Sequence, residues 1–360
     1  MPTILVLLTI VVLVATFLPV ARHPHWMVRG LDFPRVQIGM IASLLAVAHL
    51  LLLDLNSAAS WALLAATALC VVWQLWWVLP YSAVWPKEVA DSTDVDTDRK
   101  LSILTSNVLT PNRDAVSLIS LVQRYRPDIL VTLESDRWWE DRLKVIETEM
   151  PYSVKCPLDN FYGMHVFSRL PLIDPEVAFL VEDDVPSIHA LVKMRSGDEV
   201  RVHFVHPAPP SPTENTESAE RDAELVVVAR SVAESTLPVI VAGDLNDVAW
   251  SSTTRLFRKI SGLLDPRIGR GMFNTFHVHF PFLRWPLDHL FHSRHFTLCR
   301  IDRLTSIGSD HFPLYASLSL DRQRCDAQRG LGADSADRQR ASEITRARDV
   351  STSDVPSPGD

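Results

Sequence analysis

Val239-Ile240-Val241-Ala242-Gly243-Asp244-Leu245-Asn246 is the stretch on which the reading of this chain turns. Four apolar, mostly β-branched residues predict a short buried strand. Gly-Asp-x-Asn follows at once. A carboxylate placed directly after a buried strand is costly to desolvate unless it meets a partner or an ion. Taken alone, Asp244 or Asn246 reads equally well as a turn residue. The pattern repeats along the chain, however. Asn107 follows the apolar run Leu101–Ser106, Glu134 follows Asp128–Leu133, and His206 follows Val200–Val205. Asp288 opens the run Asp288–Phe291, and Ser309-Asp310-His311 stands before Leu314–Leu320. Polar, metal-competent side chains at so many strand ends are hard to assign to turns alone.

Working outward, Met164–Phe167 and Ile188–Met194 complete the predicted strands. Helical periodicity covers Ala115–Tyr125, Arg137–Glu149 and Arg221–Glu234, and Ser252–Ile260 is a further helix candidate. Ile188–Met194 and Val200–Val205 follow one another without an intervening helix. That excludes a plain strand-helix-strand repeat and predicts stacked sheets with helices outside.

The side chains at the strand ends suggest metal-assisted hydrolysis of a phosphate ester. A hard cation such as Mg²⁺, with Mn²⁺ as the alternative, takes oxygen ligands, which Glu134, Asp310 and the Asn107 amide supply. His311, oriented by a carboxylate, suits a phosphoryl contact or general-base role. Asp244 and Asn246 offer one acid/base group and one neutral donor.

The 360 residues are 47% hydrophobic and carry a formal net charge of −8, but the two properties belong to different parts. Residues 2–80 are nearly free of charge. Runs over residues 1–20, 38–53 and 61–79 approach the roughly 20 residues that span a bilayer as a helix. Residues 1–86 are therefore a three-span membrane domain, 87–100 a polar linker, 101–320 a catalytic domain, and 321–360 a tail too poor in apolar residues to order itself. Arg22, Arg29 and Arg35 in the first loop share a membrane face with Lys87, Arg99 and Lys100, and the opposite face carries neither Lys nor Arg. The positive-inside rule puts that face, and the catalytic domain, in the cytoplasm; the acidic segment Glu88 to Asp98 would translocate easily, which leaves the extracytoplasmic face as the alternative. Cys70, Cys156, Cys299 and Cys325 show no CxxC and no disulfide framework.

The motif set resembles the endonuclease/exonuclease/phosphatase superfamily. It comprises Ser106-Asn107-Val108, Leu133-Glu134, Gly163 through Ser168-Arg169-Leu170-Pro171, Val205-His206-Pro207, Gly243-Asp244-Leu245-Asn246, Asp288-His289 and Ser309-Asp310-His311-Phe312-Pro313. The amino-terminal part, with Trp26 to Arg35 as its first loop, resembles bacterial members anchored in the plasma membrane by three spans. The resemblance implies a four-layer αββα sandwich with the site at one end of two packed sheets. It implies Glu134 as principal metal ligand, assisted by Asn107 and Asp310. Asp244 would position or deprotonate the attacking water, and Asn246 would hold the phosphate. His311 would contact the phosphoryl group with Asp288 orienting it, and His206 would bind phosphate or serve the leaving group.

Residues 101–320 hold 22 Lys and Arg against 28 Asp and Glu. Affinity for a nucleic acid rests largely on basic contacts to phosphates, so a metal-dependent nuclease is the second reading. A phospholipid or other lipid-linked phosphate at the bilayer fits the anchor better. A catalytically inactive membrane interaction protein is the alternative of another class. The aromatic stretch Met272 to Trp285 reads as packing over the sheet end or as a lipid- or substrate-facing loop. Nothing in the sequence bears on oligomeric state.

Overall fold

The computed structural model describes residues 2–94, 96–321 and 328–359. Residues 100–320 form two packed mixed sheets with helices outside, the four-layer α/β sandwich expected. One sheet has the order β10-β11-β1-β2-β4-β3 and the other β5-β6-β7-β8-β9. The strands are β1 (Lys100–Asn107), β2 (Ile129–Leu133), β3 (Tyr152–Cys156), β4 (Met164–Ser168), β5 (Leu172–Ala178), β6 (Ser187–Lys193), β7 (Glu199–Phe204), β8 (Val239–Asp244), β9 (Asp288–His292), β10 (Phe296–Arg303) and β11 (Leu314–Leu320).

Period-two patterning builds the layers. Leu101, Ile103, Val200, Val202, Phe204, Ile240, Ala242 and Leu290 point between the sheets into the central core. The alternate residues face outward. Leu104 and Leu130 meet α5 (Ala115–Tyr125) and α6 (Arg137–Leu143). Val239, Val241 and Phe291 meet α7 (Ala219–Ala233) and α8 (Ser252–Ser261). Asp114, Asp136 and Ser251 cap α5, α6 and α8 by accepting from Ser117 N, Trp139 N and Thr254 N.

The topology gathers the strand ends. Each sheet contains one parallel pair, β1 with β2 and β7 with β8. The carboxyl ends of those four strands lie together. The antiparallel neighbours then feed residues into the same end. Asp288 opens β9 opposite Asp244, and β11 begins with Leu314 opposite Thr105, so the segment before it hangs over the end of β1.

Ahead of the sandwich, three helices are long and apolar enough to cross a membrane, over Thr3–Ala21, Arg35–Leu52 and Ala58–Tyr81. They correspond to α1 (Pro2–Phe17), α3 (Arg35–Leu52) and α4 (Ala58–Val78), with α2 (Trp26–Arg29) a single turn in the first loop. That loop is fastened to the sandwich. Trp26 N donates to Thr216 O, Trp250 Nε1 donates to Asp32 O at 2.9 Å, and buried Arg29 reaches Asp222 at 2.6 Å and Ser252 at 2.8 Å. Two of the loop arginines behind the charge argument are thus in buried ion pairs, Arg29 with Asp222 and Arg35 with Asp32.

Two segments differ from expectation. The first part of the polar linker is docked, because Val89 is fully buried in the central core and Glu88 pairs with Arg258 at 2.5 Å. Ser92 N then donates to Leu298 O, and Leu298 N donates to Ala90 O, along the edge of β10. The tail is ordered over its described residues. Asp334 caps α9 (Ser335–Arg346) with a reciprocal bond from Asp337, Ala341 and Ile344 cover Val226 and Leu256, and Pro358 O accepts from Arg201. A few apolar residues suffice there because the sandwich supplies the rest of the surface. Residues 322–327, with Cys325, lie outside the described residues. Cys70, Cys156 and Cys299 are free thiols.

Candidate active site

Local backbone demands explain the motif glycines. Gly243 has φ +146°, and a Cβ there would lie 1.9 Å from Val205 O. Only glycine lets β8 run past β7 and deliver Asp244 beyond it. Gly163 is packed the same way, with a notional Cβ 2.1 Å from Ser135 O. Glu134 and Asn246 themselves hold the left-handed region at φ +57° and +50°. Such positions cost energy in non-glycine residues and cluster at functional sites.

Six of the eight predicted residues line one cleft of about 430 Å³: Glu134, His206, Asp244, Asn246, Asp310 and His311. The other two stand directly behind them. Asn107 donates from Nδ2 to Glu134 Oε1 at 2.7 Å and to Asp244 Oδ2 at 3.3 Å, while its oxygen accepts from Leu109 N. In this arrangement it ties the two sheets' carboxylates together, and ligation through its oxygen would need the amide turned over. Asp288 Oδ2 lies 2.8 Å from His311 Nδ1. His311 Nε2 in turn lies 3.5 Å from Asp244 Oδ2.

Electrostatics separate these groups. Burial, first, pushes the Glu134 carboxyl up to about 7, and nearby Asp310 and Asp244 add to it. Burial also opposes ionisation of Asp244, but His311, His206 and donors from Asn246 N and Asn107 outweigh it, holding Asp244 below the usual range. For His311, burial is again the largest single effect and opposes charging. Asp244 and Asp288 together overcome it and lift the imidazole to about 10. Burial takes His206 down to about 4, so it is neutral at pH 7. Asp288 is raised by burial and by Asp244.

The donor set suits a hard cation. Glu134 Oε2 is buried without a hydrogen-bond partner, as is Asp288 Oδ1. Orphaned carboxylate oxygens of this kind are unfavourable unless something positive meets them. Among the described residues Asp244, Asp288 and His311 also bring one potential ligand atom each within 4.8 Å of one another. There the His311–Asp288 hydrogen bond already occupies Nδ1. The open oxygen of Glu134, beside Asp310, is therefore the better cation seat.

Several cleft residues carried no signal in the sequence. Tyr162 lies beside His206 with ring centroids 5.3 Å apart and tilted planes, and donates its hydroxyl to Glu214. Phe33 arrives from the loop between the first two spans. Phe276, by contrast, belongs to the aromatic stretch Met272 to Trp285, read from the sequence as packing or substrate-facing, and lies against His311. Arg221 is buried and donates to Asn246 O at 2.8 Å, fixing the Asp-x-Asn turn from α7. His277 and His279, two residues apart, do not line the cleft.

Comparisons with known proteins agree with this geometry. The model of the Endonuclease/Exonuclease/phosphatase family matches residues 104–311. Among solved structures, D. rerio TDP2 complexed with single strand DNA product is 19% identical, with 62% of this chain and 100% of that one covered and a TM-score of 0.50. The human Nocturnin catalytic domain with bound sulfate is 17% identical, covering 63% and 96%, at 0.50. An endonuclease/exonuclease/phosphatase family protein from Bacteroides thetaiotaomicron is 18% identical, covering 62% and 98%, at 0.50. These likenesses concern the fold. Among curated proteins, none matches the chain. Motif, layer order and family match agree: the chain belongs to the endonuclease/exonuclease/phosphatase family, whose members are metal-dependent phosphoesterases or nucleases.

Proposed function

We propose that this protein is a membrane-anchored, divalent-metal-dependent phosphoesterase. The observation that carries the reading is the convergence of Glu134, Asp244, Asp310, His206 and His311 on one cleft, with a Glu134 oxygen buried and unpartnered. Glu134 and Asp310 would hold Mg²⁺ or Mn²⁺, with Asn107 beside them. Bound there, the ion would supply positive charge to the phosphoryl oxygens. Asp244, kept ionised by its neighbours, orients the attacking water and accepts its proton. His311, protonated at neutral pH and braced by Asp288, donates from Nε2 to a phosphoryl oxygen. Asn246 gives one amide hydrogen to Pro207 O at 3.0 Å, leaving the second for the phosphate. Neutral His206 serves the leaving oxygen.

A nuclease is less well supported. Among the described residues no Lys or Arg lines the cleft, whereas polyanion binding draws on several. An inactive interaction domain is disfavoured because the expected positions are filled and gathered. The resemblance of the amino-terminal part supports a bacterial plasma membrane protein, and the Lys and Arg distribution of its loops supports a cleft in the cytoplasm. A reporter fused after residue 321 tests the side: activity of an export-dependent reporter would reverse the orientation.

The reading is tested with the full chain in detergent and bis(p-nitrophenyl) phosphate. Turnover is expected with Mg²⁺, lost in EDTA and recovered when Mg²⁺ is returned. Turnover indifferent to EDTA, or undiminished in His311→Ala, would overturn it.

A further inference from the structure

The cleft touches the membrane domain, and the contact has a direction. Phe33 lines the cleft and packs on Trp285 with ring centroids 5.6 Å apart. Phe33, Phe276 and Trp285 belong to one apolar cluster with Val36 and Val78. Those two valines, from the start of α3 and the end of α4, also line a second cavity, a groove of about 420 Å³ between the two helices. Gly39, Met40, Leu44 and Leu75 continue it along the two spans. One packed apolar cluster thus joins the groove between the membrane-spanning helices, whose polar lining residues are Arg35, Ser43 and Gln74, to the aromatic wall of the phosphate cleft.

The loop beside that track lies at membrane height. Phe282 O accepts from Gln37 Nε2 at 2.6 Å, and Gln37 is in the first turn of α3. The loop therefore sits level with the start of a span. Its apolar side chains are open for a water-facing loop: Phe282 is 88% exposed, Leu283 46%, and Phe280, whose ring meets His277 edge-on, 55%. Aromatic rings at this height favour the bilayer interface. Arg284 fixes the loop from behind by donating to Val278 O at 2.6 Å and lying over Phe312.

We propose that the cleft draws its phosphate ester from the bilayer: the substrate is a membrane lipid phosphoester whose aliphatic chain lies in the α3–α4 groove and whose head passes Phe33 and Phe276. Phe280, Phe282 and Leu283 enter the interface and hold the mouth of the cleft against it. This rests on the phosphoesterase reading and adds the substrate class. A groove between two spans is bathed in acyl chains, so a lipid chain is its natural occupant. Among the described residues the cleft lining is acidic and holds no Lys or Arg, which disfavours a long polyanion and suits a single phosphate.

The experiment uses the full chain in phosphatidylcholine nanodiscs and two chromogenic diesters, p-nitrophenyl hexadecyl phosphate and p-nitrophenyl methyl phosphate. Both release nitrophenolate by the same attack of water, leaving the monoalkyl phosphate. Gly39→Leu and Ser43→Phe fill the groove, and Phe282→Asp opposes insertion of the loop. Each is expected to lower kcat/KM for the hexadecyl ester about tenfold, the equivalent of roughly two buried methylene groups. The methyl ester is expected to change less than about twofold, which also reports an intact fold. An equal fall for both esters, or no fall for either, would overturn the proposal. So would cleavage of a single-stranded oligonucleotide more efficient than that of the hexadecyl ester. If the unsubstituted protein turns over neither ester with Mg²⁺, the phosphoesterase reading itself has failed.

Discussion

The two sheets end in the same cleft with carboxylates in opposite states. The first sheet contributes Glu134, with one oxygen held by Asn107, the other buried and unpartnered, and an ionisation pushed up by burial. The second contributes Asp244, which accepts from Asn246 N and Asn107, lies 3.5 Å from His311, and is held below the usual range. Both are acids at the carboxyl end of an interior strand, Asp244 closing β8 and Glu134 following β2. The difference is that the protein fully solvates one and leaves the other incomplete. On the proposed assignment, the first half waits for a cation and the second is preorganised for water and a proton.

The comparison can be broken most sharply at Asp244. Asp244→Asn preserves the shape and removes the base, so turnover should fall by about 10³-fold or more. Cation affinity should stay within about tenfold. Stopped turnover assays and cation titration on one preparation check both.

The second half also depends on a chain of ion pairs from the membrane loop, Arg29 to Asp222 to Arg221 and on to Asn246 O. Arg29→Ala leaves Asp222 with one partner fewer in a buried setting. A loss of about 3 kcal/mol, at the lower end for breaking a buried pair, is expected in denaturant unfolding. A loss under about 0.5 kcal/mol would show the loop is only resting on the domain.

At Glu134 the expectation has two signs. Glu134→Gln removes an incompletely solvated acid, so the cation-free protein should unfold at the same or higher temperature. Turnover should fall about 10²-fold. Mg²⁺ at a hundred times its dissociation constant should stabilise the unsubstituted protein by about 2.7 kcal/mol and this variant by almost nothing.

Acid sensitivity is the smallest effect per group. His189 and His289 are taken down to about 3 and His292 to about 4, chiefly by burial. A depressed folded value means that stability is present above the unfolded value of 6.5 and lost as pH falls toward the folded ones. Each should cost up to about 1.4 kcal/mol per pH unit below 6.5. Thermal melts between pH 7 and pH 5 check the slope, and a flat profile would mean these imidazoles are solvated.

How much was legible follows from where residues sit. The central strands declared themselves because both faces are covered, which makes them unbroken apolar runs. Three strands escaped notice, β3, β5 and β10, and all are sheet edges. Edges need not be apolar, and β5 carries Pro175 and a register shift while β10 carries another. The linker and tail were misread for a related reason. Val89, Ala341 and Ile344 are too few to suggest order, yet each meets a surface that the sandwich had already built. The cleft residues after the strands were legible because a polar group there contradicts the run before it. Phe33, Tyr162, Glu214 and Arg221 were not, since each looks ordinary locally and acquires meaning only through a neighbour distant in sequence.

The most direct test of the central contrast is Mg²⁺ titration of three proteins by calorimetry: unsubstituted, Glu134→Gln and Asp244→Asn. The account predicts binding to the first and third and its loss in the second. Binding retained by Glu134→Gln and lost in Asp244→Asn would contradict it, and would put the cation among Asp244, Asp288 and His311 instead.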